Sequence, residues 1–239
     1  MPGLCVNFAG KVEVHHYLRD ELRTALIRNG VMRANITKED KACFHGPDAN
    51  VEGHPKWQKD LTIANGALAH AGEESFAAKD VLIDVTIRNP VAKRQLLRYG
   101  VGGVHGGPSD AQAGSTAARA ENEQRVHYQG AISPATATFI PFAVEAYGCI
   151  RQEATDFLKA VATQRAHTLQ SVEGVPVAWG KAKCLGRLRQ AVSVALQVAL
   201  SRRELGFLRN MRSHRVGQGQ AEEEEEGDEG GGGSDEGGG

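Results

Sequence analysis

Apolar residues recur at helical spacing near the start of the chain. Val14, Leu18, Leu22 and Leu26 stand four residues apart, and Gly30 follows them. Side chains at this spacing lie on one face of a helix, and a glycine at this place is a common stop signal. The pattern predicts an amphipathic helix that buries one face.

Three short segments in the middle of the chain have the composition of strands. Residues 31–37 alternate between apolar and polar positions, residues 60–66 begin with an aspartate, and residues 80–87 are rich in Val, Ile and Leu. Residues 38–58 contain Gly, Pro and Asp throughout, which is typical of a loop. We expect the three segments to form a sheet.

The second half of the chain predicts three helices and one strand. A helix is expected from Ser115, as its N-cap, to about Tyr128. Residues 136–148 predict a strand that Pro141 interrupts. Two more helices are expected at 151–169 and 181–211.

Composition favours a folded body without a membrane span. The chain has 239 residues, of which 41% are hydrophobic, and it contains no apolar run long enough to cross a bilayer. Its first residues lack the order of charged, apolar and small residues of a signal peptide. We therefore expect an intracellular protein, in the nucleus or the cytoplasm, with reduced cysteines.

Charge is unevenly distributed along the chain. Nine acidic residues and no basic one follow residue 217, which leaves 28 basic and 20 acidic residues before it. A body with this excess attracts a polyanion such as nucleic acid. The acidic, glycine-rich end predicts disorder. We divide the chain into an N-terminal extension (1–12), a folded domain (13–212) and a disordered tail (213–239).

Asp84 is the most unusual residue of the predicted sheet, because it lies inside an apolar strand. Side chains alternate along a strand, so Asp84 and Thr86 point to one face while Ile83 and Val85 point to the other. A buried carboxylate requires a partner, which is a metal ion, a basic side chain or backbone amides. A purely structural aspartate at a strand end is the alternative.

A second aspartate, Asp60, opens the preceding strand segment. If the two strands pair antiparallel, Asp60 and Asp84 meet at one end of the hairpin. Two adjacent carboxylates repel each other unless a divalent cation lies between them. Mg²⁺ held by one or two carboxylates and a substrate phosphate is the usual arrangement for phosphodiester hydrolysis.

Several segments together resemble a known nuclease family. The stretches HHYLRDELRTALIRNGV, VLIDVTIRNPVA, ENEQRVHY, FIPFAVEAYG and RLRQAVSVALQ succeed one another between residues 13 and 205. This succession resembles the C-terminal restriction-enzyme-like endonuclease region of non-LTR retrotransposon reverse transcriptases. That region belongs to the PD-(D/E)XK nuclease superfamily. DVTIRNP and PFAVEAYG are the most specific pieces of the resemblance.

The resemblance implies an α/β fold with a restriction-endonuclease-like αβββαβ core, followed by additional C-terminal helices. It places the two metal-binding acids at Asp60 and Asp84, and a further acid from the first helix at Glu21. Mg²⁺ or Mn²⁺ would be the cofactor and DNA the partner, with no small-molecule cofactor and no membrane contact.

The chain departs from the family pattern where a catalytic lysine is expected. Thr86 occupies the position two residues after the second acid, and the alternative helix position is Gln124, with Arg125 beside it. The proline of the family motif is also missing, because Lys59 precedes Asp60. An arginine stabilises negative charge but is too basic to transfer protons near neutral pH.

The remaining candidates for chemistry have simpler interpretations. Irregularly spaced cysteines and histidines give a weak zinc hypothesis, and a histidine pair on the first helix is interpreted as surface or boundary residues. Glu145 is expected to pair with a helix arginine or to join the acidic cluster. Arginines of the last helix either follow a phosphate backbone or form a solvated face. The zinc hypothesis concerns Cys5, Cys43, His45 and His54. The histidine pair is His15 and His16, and the arginines are Arg187, Arg189, Arg202 and Arg203.

Two functions are compatible with this pattern. The first is a retroelement-derived endonuclease that cleaves DNA with a divalent metal. The second is a catalytically inactive remnant of the same fold that binds nucleic acid or acts as a scaffold. A soluble α/β protein of unrelated function is a third hypothesis.

Overall fold

The structure is a computed structural model that describes residues 8–39, 60–70, 76, 78–89 and 114–225. Within these residues a helix is followed by three strands, a helix, a strand and two helices. The elements are α1 (Phe8–Arg28), β1 (Ile36–Lys38), β2 (Leu61–Ile63), β3 (Asp80–Arg88), α2 (Ser115–Tyr128), β4 (Ala137–Glu145), α3 (Gln152–Glu173) and α4 (Val177–Glu225), with a 3-10 turn at Arg33–Asn35.

The four strands form one sheet in the order β1-β2-β3-β4. β1 pairs antiparallel with β2, β2 pairs antiparallel with β3, and β3 pairs parallel with β4. Helix α2 lies in the connection between the two parallel strands, as parallel pairing requires a crossover. The predicted α/β class is confirmed, while the restriction-endonuclease identity of the core remains a prediction.

Helices cover the sheet on both faces. Ile83 and Val85 join the main core with apolar residues of α1, α3 and α4, whereas alanines of α2 pack against Ala143 of β4. On the α2 side, Gln124 contacts both Asp84 and Thr86. The predicted alternation of β3 is therefore confirmed, and it places Asp84 beneath α2.

Helix α1 buries the predicted apolar face. Val14, Leu18, Leu22 and Leu26 are all buried, and the helix ends two residues before Gly30. Gly30 has φ +95°, a conformation that glycine adopts without steric cost. The helix begins at Phe8, earlier than the boundary of the predicted N-terminal extension at residue 12.

Strand β4 runs through Pro141 without a break, so the predicted interruption is wrong. Pro141 lies opposite Asp84 in the parallel register with β3. Because β4 is at one edge of the four described strands, a missing N–H on its outer side costs no ladder hydrogen bond.

Helix α4 is longer than predicted. It continues to Glu225, beyond the predicted domain end at residue 212 and into the segment predicted to be disordered. Residues 226–239 lie outside the described part of the chain. None of the described helices combines the length and apolar composition that a membrane crossing requires.

The N-terminus of α2 is held by a carboxylate from β4. Gly114 precedes the helix with φ +88°, so Ser115 is the first helical residue and not the predicted N-cap. The buried Glu145 accepts hydrogen bonds from the backbone N–H groups of Gly114 (3.0 Å), Thr116 (3.1 Å) and Ala117 (3.4 Å), and from the Thr116 hydroxyl (2.6 Å).

These hydrogen bonds satisfy backbone N–H groups of the first turn that have no partner within the helix. They also place negative charge at the positive end of the helix dipole. Among the described residues, Glu145 pairs with no arginine and lies apart from Asp60 and Asp84, so within this part of the chain neither role expected for it is found.

Glu145→Gln tests this anchor. The change leaves one acceptor oxygen and directs an amide N–H₂ group at backbone donors, so we expect a loss on the order of 2 kcal/mol in the free energy of unfolding. Urea denaturation measures the loss. Glu123→Gln is the matched control, because Glu123 pairs with Arg88 on the exposed side of the same helix and its loss should stay below about 1 kcal/mol. Equal urea midpoints for the two variants would contradict this role of Glu145.

Candidate active site

Asp60 and Asp84 meet where strand β2 begins beside β3. The antiparallel register pairs Leu61 with Ile83, and Asp60 directly precedes Leu61 while Asp84 directly follows Ile83. The backbone N–H of Asp60 donates to the carbonyl of Ile83 at 3.1 Å, and the carboxyl group of Asp60 hydrogen bonds to that of Asp84. The predicted meeting of the two aspartates at one end of the hairpin is confirmed.

The Asp60 carboxylate is buried and held from two sides. Its Oδ2 accepts a hydrogen bond from the backbone N–H of Val85 at 2.6 Å. A side-chain oxygen thus takes the place of a backbone carbonyl as the partner of β3 at this point. The same oxygen lies 2.9 Å from Nε2 of His15 on α1. These contacts determine where the second carboxylate oxygen can lie.

The Asp84 carboxylate is held by helix α2. The side-chain amide of Gln124 donates to Asp84 Oδ2 at 2.7 Å, and Nε2 also lies 3.1 Å from the Asp84 carbonyl and 2.6 Å from the Thr86 hydroxyl. Tyr128, one turn further along α2, donates its hydroxyl to Asp84. The buried Oε1 of Gln124 has no hydrogen-bond partner among the described residues.

The two carboxyl groups are close enough to hydrogen bond to each other. Burial, the charge of Asp60 and this hydrogen bond raise the pKa of Asp84 to about 7. Two adjacent buried carboxyls cannot both ionise at low cost, so near neutral pH they share a proton or require a cation. Burial and the charges of Asp84 and Asp60 also raise the pKa of Tyr128, which keeps its phenol protonated.

His15 is a site residue that the sequence interpretation missed. Burial lowers the pKa of His15, but the hydrogen bond and charge of Asp60 outweigh that effect and raise it. His16, its neighbour, is exposed as predicted. The spacing of the sequence could have identified it. His15 precedes Leu18 by three residues and Leu22 by seven, so it belongs to the edge of the buried face of α1.

The other predicted site residues do not join the carboxyl pair. Neither a hydrogen bond nor an ion pair connects Glu21 to Asp60 or Asp84, because Glu21 projects about 120° around α1 from His15. Arg125 forms an ion pair with Glu153 of α3 on the outer side of α2. The roles predicted for Glu21 in the metal shell and for Arg125 at the scissile phosphate remain predictions.

The predicted phosphate-binding arginines lie on α4. Arg187 and Arg189 are exposed, and Arg203 is half-buried. Arg202 lies 4.6 Å from the centre of the Tyr17 ring of α1, a cation–π contact. The residues of the zinc hypothesis, Cys5, Cys43, His45 and His54, lie outside the described residues.

The chemistry of the carboxyl pair suits a hard divalent cation. Its two carboxyl groups converge and their shared proton is replaceable, and the Gln124 side chain that holds Asp84 has a buried oxygen, Oε1, without a hydrogen-bond partner among the described residues. In the described parts of the chain, no three His, Cys, Asp or Glu side chains already converge as a complete ligand set. Such a cation would therefore complete its coordination shell with water or a phosphate.

Comparisons of the chain with protein-family models, with curated proteins and with solved structures find no match. The geometry of the carboxyl pair is therefore the basis for any statement about function.

Asp84→Asn should stabilise the cation-free protein at high pH. The pKa of Asp84 is about 7 in the folded state and 3.8 ordinarily. Between these values the folded protein holds a proton that the unfolded chain has released. Stability therefore falls as the pH rises from about 4 to 7 and stays low above. Asparagine removes this slope, and we expect a gain on the order of 2 kcal/mol at pH 8 that disappears near pH 4.

Urea denaturation in a chelator at pH 4, 6 and 8 measures this difference. Asp156→Asn is the control, because a hydrogen bond from Lys159 lowers the pKa of that exposed aspartate and its replacement should give no gain at pH 8. A pH-independent effect of Asp84→Asn would show that the two carboxyls do not share a proton.

Proposed function

We propose that this protein cleaves phosphodiester bonds of DNA with a divalent cation, Mg²⁺ or Mn²⁺, held by Asp60 and Asp84. The carboxyl pair carries the proposal. Two acids from adjacent strands are close enough to share a proton, and a cation in place of that proton relieves the same repulsion. The resemblance of the chain to retroelement endonucleases supports DNA as the substrate.

The residues around the pair suit hydrolysis. Val85 and Gln124 hold the two carboxylates by hydrogen bonds, so little reorganisation is needed when a cation binds. A cation held by Asp60 and Asp84 would supply Lewis-acid chemistry there, which would activate water and offset charge on the phosphate. We assign to Gln124 Oε1 the role of accepting a hydrogen bond from the attacking water, because this buried oxygen has no partner in the described structure.

Helix α4 offers a surface for the DNA backbone. Residues 177–203 contain six basic residues and no acidic one. Arg187 and Arg189 are exposed, and the contact of Arg202 with Tyr17 holds that guanidinium against α1. Exposed basic side chains of this kind attract phosphates without reading sequence.

One observation favours the second candidate function, a nucleic-acid-binding domain without activity. No lysine of the described residues contacts the carboxyl pair, and the hydroxyl of Thr86, which stands at the expected lysine position, is engaged by Gln124. If positive charge at this point is indispensable for catalysis, the domain retains binding and has lost cleavage.

Plasmid cleavage distinguishes the two functions. We expect the purified protein to nick supercoiled plasmid in Mn²⁺ or Mg²⁺, and Asp84→Asn and Asp60→Asn each to reduce the rate at least about 100-fold, since each removes a charge from the cation site. Asp156→Asn, an exposed aspartate on α3, serves as the control. Equal nicking by all four proteins would reveal a contaminant, and salt-sensitive DNA binding without cleavage would establish the second candidate.

The double variant Arg187→Gln/Arg189→Gln tests the surface of α4. If both side chains contact phosphates, the slope of log K against log salt should decrease by about 2, with weaker binding to all sequences. Fluorescence anisotropy with a labelled duplex at several salt concentrations measures the slope. The double variant Arg28→Gln/Arg33→Gln, which removes two exposed arginines at the end of α1 and before β1, is the charge-matched control. An unchanged slope in Arg187→Gln/Arg189→Gln would place the DNA elsewhere.

A further inference from the structure

We infer that His15 is a direct nitrogen ligand of the bound cation, so that the site prefers Mn²⁺ to Mg²⁺. The inference deepens the proposed function, because it rests on a cation between Asp60 and Asp84. It does not depend on whether the bound protein cleaves DNA.

The spacing of the two side chains matches that of neighbouring ligands on one ion. Nε2 of His15 lies 2.9 Å from Oδ2 of Asp60. Two atoms that are each about 2.1 Å from one ion, with a right angle between the bonds, are about 3 Å apart. A cation can therefore replace the proton between these atoms with little movement of either side chain.

His15 is also directed at both carboxylates. Its pKa is influenced by the charge of Asp60 and, less strongly, by that of Asp84, so the imidazole lies within electrostatic reach of each. About a third of the His15 side chain is exposed, against less than a tenth for Asp60. The histidine therefore lies on the open side of the pair, where a cation and its substrate enter.

Helix α1 contributes this nitrogen where the resemblance predicted an acid. Glu21 has no bond to the pair, and His15 is the α1 side chain that hydrogen bonds to it. The proposed ligand set consists of two carboxylates and one imidazole, which the cation would have to draw together, because no three such side chains of the described residues already converge as a complete ligand set. Mg²⁺ prefers oxygen ligands and retains its waters, whereas first-row transition ions accept imidazole readily. A mixed set of this kind favours Mn²⁺.

A merely structural histidine would behave differently. If His15 only orients Asp60 by a hydrogen bond, its loss should weaken the binding of Mg²⁺ and Mn²⁺ by the same factor. If His15 is a ligand, its loss should weaken Mn²⁺ binding more than Mg²⁺ binding, and the two ions should become nearly equivalent.

The test measures cation binding by the full chain without DNA. Electron paramagnetic resonance gives the Mn²⁺ affinity, and competition with Mg²⁺ gives the second constant, for the wild type, His15→Gln and His16→Gln. We expect the wild type to bind Mn²⁺ at least about tenfold more tightly than Mg²⁺. His15→Gln should lose about tenfold or more for Mn²⁺ and less than about threefold for Mg²⁺. The exposed His16 is the adjacent control, and its variant should match the wild type.

A spectroscopic measurement on the wild type alone does not depend on whether the variants fold. Spin-echo modulation from ¹⁴N on wild-type-bound Mn²⁺ would identify a directly bound imidazole, and a spectrum without nitrogen coupling would overturn the inference. Equal losses for both ions in His15→Gln would overturn it as well.

Nitrogen-coupled Mn²⁺ without DNA cleavage would overturn the proposed function and leave the inference standing. DNA cleavage together with a Mn²⁺ spectrum that shows no nitrogen coupling would overturn the inference and leave the proposed function standing. No measurable cation binding by the wild type would overturn both.

Discussion

Repulsion between the carboxyl groups of the buried Asp60 and the partly buried Asp84 is the interaction on which the candidate site depends. Asp84 lies in β3 and Asp60 directly precedes β2, so the antiparallel pairing of Leu61 with Ile83 holds the two carboxyl groups close together. A proton or a cation between the two carboxyl groups relieves this repulsion. Hydrophobic burial on the other face of the sheet, through Ile83 and Val85, stabilises the strand that holds the charge in place.

Helix α2 connects the stability of the fold to the geometry of this site. Glu145 anchors the first turn of the helix, and Gln124 and Tyr128 lie two and three turns further along. A rotation or shift of α2 would move the amide that holds Asp84. The buried glutamate at the end of β4 therefore acts on the carboxyl pair without touching it, and it does so through the position of one rigid helix.

Local patterns predicted much of this arrangement, and tertiary relations account for what they missed. The apolar face of α1 and the opposite faces of β3 both follow from spacing along the chain, because they are set by periodicity alone. The continuity of β4 at Pro141 follows from its position at the edge of the described sheet, which no local pattern contains. The role of Glu145 likewise arises from an encounter between segments distant in sequence.

The contacts of the basic side chains show which of them can supply positive charge at the carboxyl pair. Arg125 forms an ion pair with Glu153, and Thr86 occupies the position where the resemblance predicts a lysine. Among the described residues, His15 is then the basic side chain that hydrogen bonds to the carboxyl pair. In the proposed endonuclease, the charge that a lysine would supply from the sheet would therefore come from the cation itself and from the imidazole on α1. A change of ligand on the helix would thus compensate for a change on the strand.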